Sequence, residues 1–286
     1  MKLIVESTST RTEWVLVEGD RLVQRLFTEG INPYFQSRKE ISRSIRLNLP
    51  EVFFKRKINR IYFYGAGCAT EEKKNTVKAS LIAQFKTVVQ VESDLLAAAR
   101  GLFKNDTGIA CILGTGSNSC LYNGEEIIKN VMSAGYILGD EGSESVFGKS
   151  FLADVMKNLA PAGLTKLFYD KLGITADSVM DAIYDTPSPT RFLVAVSSFL
   201  ADHLENKYVY NLLTQNLRNF FSRNICQYDY KNYPIRFVGS GASTYSKILK
   251  EIALEFDAKV DLIVESSVQG LIEYHAVNDS EPDWAD

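Results

Sequence analysis

Histidine is almost absent from this chain, with His203 and His275 the whole complement of 286 residues. Both fall in helix-like segments near the ends of apolar stripes, so a Ser-His-Asp triad or a histidine-rich metal site has almost no material. Cysteine is nearly as sparse. Cys68, Cys111, Cys120 and Cys226 are widely scattered and form no Cys-x-x-Cys pair, a usage that fits reduced thiols and argues against structural zinc. No apolar run reaches the roughly 18 residues that a membrane span needs. Met1-Lys2-Leu3 enters a strand-like run with no signal-peptide character, which points to a cytoplasmic protein with no membrane partner. Nor is there excess positive charge: 32 Lys and Arg against 35 Asp and Glu give a net charge of -3. That leaves no basic stripe and disfavours nucleic acid as a partner. Catalysis must therefore rest on carboxylates, hydroxyls and backbone amides.

The composition is otherwise that of a globular protein with a packed core, 45% hydrophobic and 23% charged. One stretch organises the rest: Gly108-Ile-Ala-Cys-Ile-Leu-Gly-Thr-Gly-Ser-Asn118. Ile109 to Leu113 is a near-continuous apolar run of strand length, as expected of a strand covered on both faces. Gly114 and Gly116 then leave the backbone open to close approach, and Thr115 and Ser117 add hydroxyl donors. A short strand from Cys120 to Tyr122, the hairpin signal Asn123-Gly124 and a strand from Glu126 to Ile128 follow. The same order occurs about a hundred residues earlier, in Leu3 to Val5, the hydroxyl-rich turn Glu6 to Thr12, Trp14 to Val17, Glu18-Gly19-Asp20 and Leu22 to Phe27. The repetition predicts a duplicated α/β unit.

The remainder alternates helix and strand. Helices are predicted over 39–49, 76–85 and 95–103, the last capped by Ser93 or Asp94. Strands are predicted over 58–64 and 88–91. Gly135 to Ser143 reads as a Gly-rich loop with two carboxylates, leading to a helix from about Glu144 and a helical block punctuated by Pro161, Pro187 and Pro189. Its clearest member is 209–226, with Val209, Leu212, Leu213, Leu217, Phe220, Phe221 and Ile225 on one stripe. A strand over 235–238 breaks at Gly239-Ser-Gly-Ala242 into a helix to about Phe256, and 260–264 and 268–277 are the last strand and helix. Ligands of open parallel-type sheets sit beyond the carboxyl ends of the strands. Six polar or Gly-rich turns follow strands, at 6–12, 65–67, 93–94, 114–118, 139–143 and 239–242. The pattern suits phosphoryl transfer, where a protein mostly positions phosphates, a divalent ion and an attacking hydroxyl.

The chain resembles the sugar-kinase branch of the superfamily that contains actin and the heat-shock ATPases, and within it the N-acetylglucosamine kinase group related to the BadF/BcrA-type ATPases. The resemblance runs end to end through Glu6-Ser-Thr-Ser-Thr-Arg-Thr-Glu-Trp14, Gly30-Ile-Asn-Pro33, Ser93-Asp-Leu-Leu-Ala-Ala-Ala-Arg100, Gly114-Thr-Gly-Ser-Asn118, Leu138-Gly-Asp-Glu-Gly-Ser143 and Gly239-Ser-Gly-Ala242. It implies an α/β fold of two ribonuclease-H-like lobes around a central cleft, the second with an inserted helical block. The first lobe would be 1–107 plus a C-terminal helix over 267–286, and the second 108–266. It further implies ATP and Mg2+ as cofactors, an amino sugar as substrate and a homodimer. Asp94 would be the general base, although its place at a helix start also suits a plain N-cap. Asn32, Thr115, Asn118 and Asp140 would bind the sugar. Ser9, Thr10, Arg11, Thr12, Thr115 and Gly116 would approach the phosphates, Gly239, Gly241 and Ala242 the adenosine, and Glu6 the metal shell.

The first turn departs from the family's Asp-x-Gly-x-Thr-Lys, with Glu6, Thr8 and Arg11 in place of the Asp, Gly and Lys. Glu6 adds a methylene, Thr8 a branched side chain, and Arg11 keeps charge with a different geometry. Three readings follow: a kinase of an amino sugar, most of all N-acetylglucosamine, a catalytically weak sugar sensor, and a BadF-type ATPase activator. The activator reading needs closely placed cysteines for an iron-sulfur cluster, whereas Cys111 and Cys120 fall in strand-like, core-type runs.

Overall fold

The computed structural model describes residues 1–8, 10–186 and 188–278. It contains two compact units: Met1–Thr107 with Tyr122–Ile127 and the chain from Ser266 on, and Gly108–Leu121 with Ile128–Glu265.

The first unit starts with an antiparallel meander, β1 (Lys2–Ser7), β2 (Arg11–Glu18) and β3 (Arg21–Glu29). Helices α1 (Arg38–Asn48) and α2 (Glu51–Lys55) lead to β4 (Arg60–Gly65), α3 (Glu71–Phe85), β5 (Val88–Ser93) and α4 (Asp94–Phe103). The sheet order is β3-β2-β1-β4-β5, with β4 parallel to β1 and β5 parallel to β4. Both faces are covered, which is why the strands carry unbroken apolar runs. Leu3 and Val5 pack with Trp14, Phe63 and the α1 and α3 side chains Ile41, Ile45, Val77 and Leu81. Ile4 points the other way, to Val15, Tyr62, Tyr64, Ala97 of α4 and Leu271 and Ile272.

The second unit repeats the plan: β6 (Gly108–Leu113), β7 (Ser117–Tyr122) and β8 (Ile127–Val131), then α5 (Gly135–Leu138), α6 (Glu144–Met156), α7 (Ala162–Leu172), α8 (Ala176–Tyr184), α9 (Pro189–Ala201) and α10 (Lys207–Arg223). After these come β9 (Ile235–Val238), α11 (Ser240–Thr244), α12 (Ser246–Glu255) and β10 (Val260–Val264). The order β10-β9-β6-β7-β8 matches the first sheet strand for strand, with β9 parallel to both β6 and β10. Ile109, Cys111 and Leu113 of β6 face a core built from α6, α9 and α10, rich in Phe147, Phe151, Phe199, Phe220 and Phe221. Six of the seven predicted stripe residues, Val209, Leu213, Leu217, Phe220 and Phe221 of α10 and Ile225 just beyond it, are buried in that core. The last helix, α13 (Val268–Asn278), belongs to the first unit; residues 279–286 of the expected C-terminal helix lie outside the described residues.

Several boundaries differ from the sequence expectation for identifiable reasons. The first hydroxyl-rich turn is shorter than 6–12, because β1 and β2 stay paired out to Ser7 and Thr12, whose hydroxyls bond at 2.7 Å. Helix α3 begins at Glu71, where Thr70 accepts from Lys73 N; its polar first turn hid that start. Gly135–Leu138, expected as loop, closes one helical turn. The helix after Gly239 breaks at Tyr245, whose buried ring packs edge-on against Phe147 and whose hydroxyl lies 3.3 Å from Ser197 Oγ.

Candidate functional site

In the first unit the carboxyl ends of β1, β4 and β5 lie in register, with Ser7 beside Gly65 and Gly65 beside Ser93. The next residue of β5's chain is Asp94. Capping of α4 falls to Ser93, whose hydroxyl accepts from Leu96 N at 3.2 Å, so Asp94 is the first helical residue and its Oδ1 accepts from Leu95 N at 2.9 Å. Burial raises the Asp94 carboxyl above its usual range, with backbone N–H donors opposing the shift.

Glu6 sits on β1 directly opposite Glu13 of β2. Burial pushes the Glu6 carboxyl up to about 7, and the charges of Glu13 and Asp94 add to the rise. Glu13 pairs with Arg25 at 2.6 Å. Among the described residues no group of three or more His, Cys, Asp or Glu could hold a metal ion. Glu6 could contribute one ligand to an ion carried mainly by phosphate oxygens and water, which is how magnesium is usually held.

The hydroxyl turn is internally satisfied. Thr8 Oγ1 accepts from Thr10 N at 3.3 Å and Arg11 N at 3.1 Å. Arg11 is exposed with its guanidinium 4.6 Å from the Phe27 ring. Thr12 is buried and donates to Glu29 O at 2.9 Å. Ser9 lies outside the described residues. Asn32 is brought alongside by a residue that sequence reasoning passed over: Ser7 Oγ, buried, accepts from Ile31 N at 2.9 Å and pins that loop to β1. Asn32 Oδ1 accepts from Tyr34 N at 3.0 Å, a turn-forming contact, and backs onto the 65–67 turn, where a side chain on Gly67 would meet it at 2.4 Å.

In the second unit Gly114 N donates to Gly116 O at 2.9 Å, closing a tight turn between β6 and β7. Asp140 lies over it. Its Oδ1 accepts from Ser117 N at 3.2 Å, and a side chain on Gly116 would stand 3.1 Å from its Oδ2. Burial pushes the Asp140 carboxyl up to about 6, with Glu141 adding and the Ser117 amide opposing. The 139–143 loop is held by Asn216, which accepts from Gly142 N at 2.8 Å and donates to Ser143 O at 3.0 Å. A polar residue among the core positions of α10 was the available signal for it. Asn118 Oδ1 accepts from Asn130 Nδ2 and from Ser119 N, both at 2.9 Å. Thr115 is half-buried, and its carbonyl accepts from Ser145 N at 3.3 Å.

Gly239 follows β9 with φ +127°, where a side chain would lie 2.2 Å from Leu113 O. Ser240 Oγ donates to Glu144 at 2.9 Å, so the 239–242 turn abuts the 114–116 turn. Gly241 is buried beside Leu113, whereas Ala242 faces the hydrophobic core. The predicted residues thus gather at strand ends within each unit, apart from Thr12 and Ala242, which lie beneath the surface, and Ser9.

No protein-family model matches the chain, and no curated protein sequence matches it either. Among solved structures, a putative N-acetylglucosamine kinase from Porphyromonas gingivalis is 38% identical, covering 98% of this chain and 100% of that one with a TM-score of 0.94. A putative N-acetylglucosamine kinase from Chromobacterium violaceum, 15% identical, covers 96% of this chain and 99% of its own at a TM-score of 0.73. A ROK hexokinase from Thermus thermophilus, 12% identical, covers 96% of each chain at 0.52. The latter two speak for the fold alone: two lobes of the actin-like ATPase type.

Proposed function

The chain belongs to the sugar kinase and actin-like ATPase superfamily, in the N-acetylglucosamine kinase-like family of its Porphyromonas relative, and on that premise we propose that it is an ATP-dependent kinase of an amino sugar, N-acetylglucosamine first. The end-to-end likeness to that relative carries the reading. The sites described above give it residues to work with.

Asp94 is the general base. Its carboxylate takes the proton of the acceptor hydroxyl as that oxygen bonds to the γ-phosphorus and the bond to the ADP oxygen breaks. Relieving Asp94 of helix capping through Ser93 leaves its second oxygen for this task, and the elevated pKa strengthens it as a base. Asn32, Thr115, Asn118 and Asp140 hold the sugar by hydrogen bonds whose loss would leave polar groups unpaired. Thr10, Arg11, Gly116 and the 239–242 turn serve the nucleotide. Bound Mg2+, with Glu6 as its protein contact, supplies neutralisation of phosphate charge.

One observation favours a second reading, a sugar sensor with weak turnover. Thr8 Oγ1 occupies the amides of Thr10 and Arg11, donors that a phosphate would otherwise take. ADP release from Mg-ATP, measured with N-acetylglucosamine, N-acetylmuramic acid, glucosamine, glucose and no sugar, separates the cases. Turnover dependent on one amino sugar establishes the kinase. Sugar-independent hydrolysis points to an ATPase, and calorimetric sugar binding without turnover to the sensor.

A further inference from the structure

Glu144 is an acidic residue that the sequence reading left without a role. It opens α6, where Ser143 is the cap and its own N–H donates to Gly114 O at 2.9 Å. Its side chain turns toward the 239–242 segment. Oε2 accepts from Ser240 Oγ at 2.9 Å, and a side chain on Gly241 would lie 3.3 Å from Glu144 Cγ. One residue therefore touches both glycine turns of the second unit. Those turns are themselves adjacent, since a side chain on Gly114 would stand 3.5 Å from Ser240 Oγ.

The chemistry of this position is restrictive. Burial raises the Glu144 carboxyl above its ordinary 4.5, and Ser240 is the carboxylate's one hydrogen-bond partner among the described residues. A carboxylate accepts at roughly four lone-pair sites, so most of its capacity is unused. A partly desolvated carboxylate is stabilised by donors and destabilised by further negative charge. Phosphate oxygens at the 114–116 turn offer no donor at neutral pH. A nucleotide with its phosphates at that turn and its base at the 239–242 turn carries its ribose between them, and ribose has two hydroxyl donors.

We infer that Glu144 accepts a hydrogen bond from a ribose hydroxyl and is the residue that selects ribonucleotides over deoxyribonucleotides, with Ser240 orienting its carboxylate. The inference rests on the nucleotide assignment of these two turns made above. A site built around a hydroxyl discriminates against the analogue that lacks it, because the protein group is left unpaired. The half-buried setting of Glu144 tempers that penalty.

Calorimetric titration of the full chain with ADP, 2′-deoxy-ADP and 3′-deoxy-ADP, in the presence of Mg2+ and without sugar, tests it. The wild type should bind ADP about tenfold more tightly than the weaker of the two deoxy analogues. In Glu144→Ala that ratio should fall to about two or less, while the thermal midpoint stays near that of the wild type. Glu144→Gln, which retains an acceptor for Ser240 and is the variant to use if the alanine form does not fold, should retain a ratio of about three. A ratio unchanged by either substitution overturns the inference. So does equal weakening of all three nucleotides, which would make Glu144 a positioning residue for the turns. Failure of the wild type to bind any of the three removes the nucleotide assignment itself, and the inference with it, whereas binding without discrimination removes only the inference.

Discussion

The two units share one sheet plan and differ at equivalent turns. Each has a three-strand meander followed by two more strands on the other side of its first strand. At the first hairpin, one unit places Thr8 to Thr10 and the other Gly114 to Gly116. Thr8 folds its hydroxyl back onto the turn's own amides. Gly116 instead makes room for the carboxylate of a separate loop, Asp140. The strand pairing depends on apolar runs buried on both faces, which β1 and β6 both carry, so the turns were free to diverge in chemistry while the scaffold stayed fixed. The first unit places the carboxyls raised by burial, Glu6 and Asp94, on strand ends. The second carries Asp140 and Glu144 on the segment leading into α6.

The largest effect should come from Asp94, the first residue beyond β5 and the proposed base. Asp94→Asn should lower kcat about a thousandfold while sugar affinity by calorimetry changes by about twofold or less. A wild-type rate would reduce Asp94 to a helix residue. Next in size is a contrast between Gly239, which follows β9, and Gly65, which ends the equivalent strand β4. At Gly239 a side chain would meet the Leu113 carbonyl at 2.2 Å from a backbone with φ +127°, whereas at Gly65 it would meet the Phe63 ring at 2.5 Å with no such backbone constraint. Gly239→Ala should destabilise by about 3 kcal/mol and Gly65→Ala by about half that, read as thermal midpoints. Equal losses would mean that the two strand ends are under the same constraint.

The duplication was readable because alternating and continuous apolar runs report strand burial directly. Leu3 to Val5 and Ile109 to Leu113 both proved to be central strands. The α10 stripe was readable for the same reason at helical period. What escaped was held by polar contacts between residues far apart in the chain. Asn216 supporting the 139–143 loop, Ser7 fastening Ile31, and Glu144 meeting Ser240 leave no periodic trace. The choice between Ser93 and Asp94 as the α4 cap was open for another reason: both side chains can cap, and only the geometry assigns the task to Ser93.

Titration sharpens the comparison further. Asp140 is buried, and its pKa moves from 3.8 to about 6 on folding. A raised carboxyl pKa means that the folded state binds the proton more tightly than the unfolded state. Stability from this group is therefore present below about pH 4 and is lost as pH rises through about 6, by up to about 3 kcal/mol. Asp140→Asn cannot ionise, so the difference in stability between variant and wild type should shift in the variant's favour by about that amount from pH 4 to pH 7. Denaturant titrations at the two pH values measure it, and a pH-independent difference would show that Asp140 is not held protonated by its surroundings.

The smallest effect tests whether the first turn can be made to resemble the second. Thr8→Gly removes the hydroxyl that accepts from Thr10 N and Arg11 N and restores the glycine of the family pattern. The Thr8 N–H bond to Arg11 O, at 2.9 Å, is a backbone contact and should survive. Stability should fall by about 1 kcal/mol, from the lost side-chain hydrogen bonds at an exposed site, including the one Thr8 Oγ1 donates to Arg11 O, and the added freedom of glycine in the unfolded chain. The freed amides should at the same time lower KM for ATP by about threefold, roughly 0.7 kcal/mol, with KM for the sugar unchanged. If KM for ATP rises instead, the threonine hydroxyl is itself a phosphate donor, and the divergence between the two turns is an adaptation for nucleotide binding and no impediment to it.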